Sequence, residues 1–375
     1  MMSIIFIFMC LVASITGHRS DSMQSTVKEL KVMNKTPIKS INTKFGYIVD
    51  CIDINKQPAF DHALLKNHKL QNKPSFFKKN RRNNSSTIAT FGLHMDQCPT
   101  GTVPIKRTTS DDIFQEKLYL NNILTKEIPG KHVAEVTLVP ATYYGVGGIS
   151  SVYSIKVEKG QSSAAVMWVK SGSSDNKNYI GIGWHVAPEL YNDDRTHFYV
   201  VWTTDNFKKT GCYNLQCSGF VQTSKNLLLG GHFDKTSIPN GEMIEIEISI
   251  FQDPKTKNWW VSYLHETLGY FPSSIFSNLN SASEVGWTGQ TRTPVNAHSP
   301  PMGSGLYPDR NFDHASYFRH ITYQDGSRKN QGPNKESTRI FSDAPNCYHV
   351  EYYGYQGSEF GHCLQLGGPG GNCGN

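Results

Sequence analysis

The sequence predicts a mainly β protein: a C-terminal antiparallel β-sandwich of two sheets, preceded by a small N-terminal unit. Three observations carry this expectation. From about Lys131 onward, runs rich in Val, Ile, Tyr and Trp (HVAEVTLVP, SVYSIKVE, SAAVMWVKSG, HFYVVWTTD, NWWVSYLH, EVGWTG) follow one another at short spacing, with Gly, Pro, Asn or Asp between them. That is the pattern of strands joined by turns. Glu242 to Ile250 alternates polar and apolar residues, as a half-buried antiparallel strand does. Hydrophobic residues make up 38% and charged residues 18% of the 375-residue chain, and no sustained helical period accompanies them, so long helices are not expected. Many strands without intervening helices imply a sandwich or barrel.

In chain order, the first segment is MMSIIFIFMCLVASITG, an apolar run ending in small residues. It reads as a secretory signal peptide over residues 1–17, too short for a membrane anchor, which makes the later cysteines candidates for disulfides. Removing Cys10 leaves seven. Grouping by segment predicts Cys51–Cys98, Cys212–Cys217 and Cys347–Cys373, with Cys363 left over. Zinc is the rival for Cys212 and Cys217, but no second ligand pair stands at a suitable spacing. Asn34, Asn83 and Asn84 open N-glycosylation sequons.

Residues 26–115 form a first unit, in which FGYIVDCIDI alternates like a strand. Residues 116–130 read as a linker open to proteolysis, and residues 131–375 as the sandwich. The net charge of +6 owes much to FFKKNRRNN, Phe76 to Asn84. With no aromatic platform or binding motif beside it, this is a solvated or processing-sensitive loop, and nucleic acid is not expected as a partner. DPKTKNWW supplies a turn feeding a strand, a hairpin loop in its simplest account. The glycines of GVGG and GGPGG read as turns, because no helix follows them to cradle phosphate.

NYIGIGWH raises a sharper question. Gly181 and Gly183 stand two apart on one strand, leaving a gap on one face. A bulky neighbour fills it, a ligand lies in it, or a functional side chain is missing from it.

DCIDINKQPAFDHALLKNHKLQNKPS, QCPTGTVPIKR, GWHVAPELYNDDRTHFYVVWTTDNFKKTGCYNLQCSGFVQ, LGYFPSSIF, MGSGLYP, ASYFRHI and GGPGGNC, in this order, resemble the neprosin family, secreted plant proteins with an activation segment and a neprosin domain. The resemblance covers nearly all of the chain after the signal. It implies a propeptide-like N-terminal unit, a two-sheet sandwich and, in the founding members, a glutamic endopeptidase that cuts after proline in acid. Such an enzyme needs a carboxylate to activate water and a second acid or amide for the oxyanion. The first family Glu lies two residues before the Gly-Trp pair, which is Gly181 here. The second follows the Trp-Gly-Gly motif, which is Gln290 in GWTGQ. Both acids are replaced.

An amide can still donate to an oxyanion but cannot act as a base. The expected function is therefore a secreted, peptidase-like protein that keeps a peptide-binding cleft, lined by Trp184 and Trp287, for a peptide or proline-rich chain. Its catalytic chemistry is impaired or lost. Two alternatives remain: an active acid prolyl endopeptidase using another acid such as Asp193 or Glu284, and a lectin-like sandwich binding glycan. Glu189 and Asp194 read as solvated loop charges. His185, His197, His232, His265, His298, His314 and His320 are scattered without HExxH spacing, which argues against a metal, and Ser304 in MGSGLYP lacks the nucleophile-elbow pattern. No cofactor is expected, nor a membrane partner once the signal is removed, and the sequence leaves the oligomeric state open.

Overall fold

The computed structural model describes residues 26–76, 87–88, 97–124, 130–173 and 175–374. The signal segment, the KKNRR run, Asn83 and Asn84 lie outside them. Two sheets face each other. In the first, the strand order is β10 (Cys212–Tyr213), β9 (Thr196–Thr203), β8 (Asn178–Val186), β7 (Ser162–Ser171), β15 (Glu284–Arg292), β5 (Lys131–Leu138) and β18 (Thr338–Ser342). In the second it is β11 (Val221–Gln222), β14 (Glu266–Phe271), β13 (Trp259–Tyr263), β12 (Ile244–Gln252), β6 (Gly145–Ser151), β16 (Ser316–Gln324), β20 (His362–Gly367) and β19 (His349–Tyr355). Short β17 (Asn330–Gln331) pairs with β16, and β3 (Thr87–Ile88) adds a parallel pairing to β12. The predicted hairpin forms: Gln252 pairs with Trp259 across a turn in which Lys257 takes a positive φ of 63°.

Alternation decides what enters the core. Ile244, Ile246, Ile248 and Ile250 point inward from β12, meeting Ile180, Ile182, Trp184 and Val186 from β8 and Val285 and Trp287 from β15. Trp184 and Trp287 are fully buried. Their indole N–H groups donate to main-chain carbonyls of β6 in the opposite sheet, Trp184 to Ser151 O at 2.8 Å and Trp287 to Gly147 O at 3.4 Å. A buried indole N–H needs such a partner. The expectation that these two tryptophans line the cleft is therefore corrected: strand alternation turns them to the inter-sheet core. GVGG, expected as a turn, forms most of strand β6 (Gly145–Ser151), the strand on which those indoles close.

The N-terminal unit consists of a helix over residues 26–33 (α1) and an antiparallel sheet of β1 (Lys39–Asn42), β2 (Ile48–Asp53) and β4 (Thr102–Lys106). All three expected disulfides are present, with Cα separations of 5.4 Å for Cys51–Cys98, 6.0 Å for Cys212–Cys217 and 5.8 Å for Cys347–Cys373. Cys363 is free and buried, and burial pushes its thiol up to about 12, which leaves it inert as a nucleophile. Asn34 holds both sides of the Thr108 peptide, its Nδ2 donating to Thr108 O and its Oδ1 accepting from Thr108 N at 2.8 and 2.9 Å. Those two bonds tie the residue to the start of α2.

The expected linker is also corrected. Residues Ser110–Leu124 form one helix, α2, crossing the boundary drawn at residue 115. Thr109 caps it: its Oγ1 accepts from Asp112 N at 3.1 Å while Asp112 Oδ2 accepts from Thr109 N at 2.8 Å, a reciprocal capping pair. Ile113, Glu116 and Tyr119, three apart, turn one narrow stripe into the protein.

A second attachment lies on the far side. The buried Asp253 carboxylate accepts from Ser75 N, Ser75 Oγ and Gln71 Nε2 at 2.5, 2.7 and 2.9 Å, as well as from Lys255 N and Thr256 N. Burial raises its pKa, but these donors outweigh that and bring it down to about 2. A depressed carboxylate contributes stability that is full above its ordinary value, near 4, and lost as pH falls through about 2. Replacing Asp253 by Ala orphans several donors, at about 1–3 kcal/mol each where they stay buried. Limited proteolysis at pH 6 is expected to cut Asp253→Ala near Ser75 well before wild type, and wild type is expected to approach the variant's rate only as pH drops from about 4 toward 2. Equal rates for the two proteins at pH 6 would contradict the latch.

Candidate functional site: a cationic cleft on the outer face of the first sheet

The face of the first sheet turned away from the core carries a cleft of about 480 Å³. Its floor follows from the same alternation that buries the tryptophans. Trp287 points inward, so Thr288, Gln290 and Arg292 point outward, and Trp184 inward leaves Gly181, Gly183 and His185 on the outer face. β7 runs between the two strands and contributes Val166 and Trp168 to the floor. On its other side β15 pairs with β5, which presents Lys131, Val133 and Glu135. Tyr179, Tyr199, Tyr213 and Phe207 form the far wall.

Gly181 and Gln290 thus share the cleft face, but they are not opposite one another. Gly181 is level with Trp168 and through it with Gly286, whereas Gln290 is level with Ala164 and through it with His185. The offset is four residues along the strands, about 13 Å at the usual strand rise.

The gap over Gly181 is filled. A Cβ there would lie 2.7 Å from Tyr179 Oη and 3.0 Å from Val166 Cγ2. The Tyr179 ring, packed toward Trp168 with centroids 6.0 Å apart, occupies the space a Glu side chain would enter. Burial and then the charge of Glu135 push the Tyr179 phenol up, so it is neutral over the whole physiological range. At Gly183 an added Cβ would collide with the Ala165 carbonyl of β7, so glycine is required there by close backbone approach.

One carboxylate among the residues lining the cleft was not singled out from the sequence. Glu135 Oε2 accepts from Thr288 Oγ1 at 2.9 Å, and Trp168 Nε1 donates to the same hydroxyl at 2.8 Å. Because Thr288 pairs with Glu135 and Gln290 with Val133, Gln290 and Glu135 are diagonal neighbours on one face. Such neighbours lie about 7–8 Å apart. The alternation of HVAEVTLV was the available signal. Asp193 and Glu284, the alternative acids the sequence offers, are engaged elsewhere. Asp193 accepts from His197 Nε2 at 2.8 Å, and Glu284 pairs with Lys170 at 3.1 Å, six residues along β15 from Gln290.

The N-terminal unit reaches this cleft through α2. Tyr119 is 2% exposed and stands at the Arg292 end, its hydroxyl 3.2 Å from Ser162 Oγ and 3.0 Å from His185 Nε2. Arg292 lies over its ring at 5.1 Å. Burial, then the nearby His197 and Arg292, lower His185 to about 3, so its ring stays neutral against Tyr119. Beside it Glu116 is pushed up to about 8 by burial, then by Glu29. Among the described residues no group of three or more His, Cys, Asp or Glu side chains is placed to hold a metal ion.

Two family models match the chain: the neprosin activation peptide over residues 40–134 and the neprosin domain over residues 159–369, more than half of the sequence. This chain belongs to the neprosin family. The activation-peptide match ends beyond α2, so the helix that reaches one end of the cleft falls inside it. Among solved structures, the chain is similar to scytalido-glutamic peptidase with a transition state analog inhibitor, at 10% identity over 63% of this chain and 97% of that one, with a TM-score of 0.37. It is also similar to SCP-B, of the eqolisin peptidase family, in complex with the tripeptide Ala-Ile-His, at 10% identity, the same coverage and a TM-score of 0.32.

The contact between Tyr179 and Gly181 sets a stability test. Gly181→Glu forces the tyrosine out of its place and is expected to cost about 1–3 kcal/mol. Tyr179→Ser empties that place, so the double variant is expected to lose less than the sum of the single losses, by about 1 kcal/mol, in urea melts. Strict additivity would show that the two positions do not share the space.

Proposed function

We propose that this neprosin-family protein is secreted and binds peptide segments in its cleft without the paired carboxylates that peptide hydrolysis needs. The observation that carries the proposal is the occupancy of the two family Glu positions: Gln290 offers an amide, and Gly181 offers only backbone under the Tyr179 ring. Loss of a general base alone removes about 10²–10⁴ in rate. The aromatic walls and the outward amide remain available to a peptide, whose main chain needs hydrogen-bond partners and whose apolar side chains need flat surfaces. Three disulfides and the apolar N-terminal run support secretion. Tyr119 in the cleft supports a masking role for the N-terminal unit.

A second function has one specific observation in its favour. Glu135 and Gln290 make a carboxylate and an amide on one face, the minimum pair for activating water and stabilising an oxyanion. The two are separated by incubating the purified protein with a proline-containing peptide between pH 2 and 5. The binding function gives no cleavage, and Gln290→Ala changes nothing. Cleavage that falls by about 10²-fold or more in Glu135→Gln would overturn it in favour of a Glu135–Gln290 peptidase.

A further inference from the structure

The charge of the cleft is not explained by the loss of catalysis. Lys131, Lys170, Lys177, Lys208 and Arg292 line it, against one carboxylate, Glu135. Two of the cations are matched at the rim, Lys170 by Glu284 at 3.1 Å and Lys208 by Asp175 at 2.5 Å. Three remain, Lys131, Lys177 and Arg292, with no ion pair among the described residues: of the acids near them, Glu284 is held by Lys170, Asp343 by His132 and the Val133 N–H, and the last, Glu135, lines the cleft. That carboxylate is already bonded to Thr288.

Arg292 is the most telling. Its Nη1 is buried and has no hydrogen-bond partner, a costly state for a guanidinium nitrogen. The chain holds it at the mouth of the cleft through β15, in register with Lys131 on β5 and against the Tyr119 ring. At the other end, partial burial and then the neighbouring Lys170 lower the Lys177 ammonium below its ordinary value. Crowded, under-paired cations in a partly dehydrated groove pay desolvation and mutual repulsion until an anion enters.

Resting on the peptide-binding function proposed above, we propose that the cleft selects acidic peptides, seating a ligand carboxylate at the Arg292 guanidinium beside Lys131 and a second acidic side chain near Lys177. The occupant is a peptide rather than another polyanion because a polypeptide segment, α2, already docks at the Arg292 end of the cleft through Tyr119. Tyr119 of α2 stacks under Arg292 and bonds to Ser162 and His185. The remaining walls, Trp168, Tyr179, Tyr199 and Phe207, suit the side chains that flank acidic residues in such a segment. With Tyr119 in place the groove still holds about 480 Å³, so the intact chain can take a ligand.

The test is fluorescence-anisotropy titration of the full-length secreted protein at pH 6 with labelled proline-containing hexapeptides. One carries two Glu residues, one their Gln counterparts and one Lys in the same places, and a labelled oligogalacturonate serves as a fourth probe. The Glu peptide is expected to bind about tenfold or more tighter than the Gln peptide, with the advantage shrinking as salt rises. Arg292→Gln and Lys177→Gln are each expected to bring the ratio of Glu-peptide to Gln-peptide affinity down toward one. Thermal melts establish that each variant is folded, and Lys177, at the partly exposed end, keeps the test open if Arg292→Gln does not fold. Equal binding of Glu and Gln peptides would overturn the charge selection but leave the peptide-binding cleft standing. Binding of oligogalacturonate as tight as that of the Glu peptide would overturn the choice of a peptide. No binding of any peptide would overturn both this inference and the function on which it rests.

Discussion

Everything at the cleft depends on how two tryptophans are held in the core. Trp184 and Trp287 sit on strands separated only by β7, and each sends its indole N–H to a carbonyl of β6 across the sandwich. A strand has a period of two, so fixing one inward residue fixes the face of all its neighbours, and a slip of one residue would turn each strand inside out. Breaking either bond would leave a polar N–H buried in an apolar core. The two anchors therefore set which residues of β8 and β15 reach the outer face. Gly181 and Gln290 are outward because Trp184 and Trp287 are inward.

Given that register, the cleft differs from an acid peptidase site in two linked ways. Where a carboxylate would enter over β8 there is a glycine roofed by Tyr179, and around the place over β15 there is an amide among cations. Lys131 and Arg292 stand beside Gln290 on the outer face of β5 and β15, with Lys177 at the other end of the groove. The substitutions and the charge are mutually consistent. Under the proposed function the groove attracts acidic chains rather than moving protons. The same groove is closed at one end by the protein's own α2, whose grip combines the Thr109–Asp112 cap with the Tyr119 contacts and is supported on the far side by the Asp253 latch.

Much of the fold was legible in the sequence. Strand alternation in IEIEISI, the Asp253–Asn258 hairpin and the segment-wise grouping of cysteines all rest on local rules, and each appears as expected. What was not legible depends on tertiary partners. The apolar residues of Ser110–Leu124 do not keep to one face, Phe114 and Leu118 being exposed, so no clean stripe announces the helix, and its stability comes from a cap and from three side chains that find pockets in another domain. Trp184 and Trp287 adjoin the family positions in sequence, but adjacency in a strand means the opposite face. Glu135 and Arg292 were missed for a different reason: their place in the cleft follows from β5 and β15 pairing across more than 150 residues, which no local pattern records.

The register claim can be read directly by thiol labelling. Gln290→Cys and Thr291→Cys are adjacent on β15, one on the cleft face and one fully covered, with Thr291 bonded to the Tyr348 hydroxyl. Cys363 is buried and gives little background. In the native protein, with disulfides intact, a maleimide reagent is expected to modify Gln290→Cys readily and Thr291→Cys only after denaturation. Rapid native labelling at position 291 with protection at 290 would mean that β15 shows its other face to solvent, and the site built on it would be wrong.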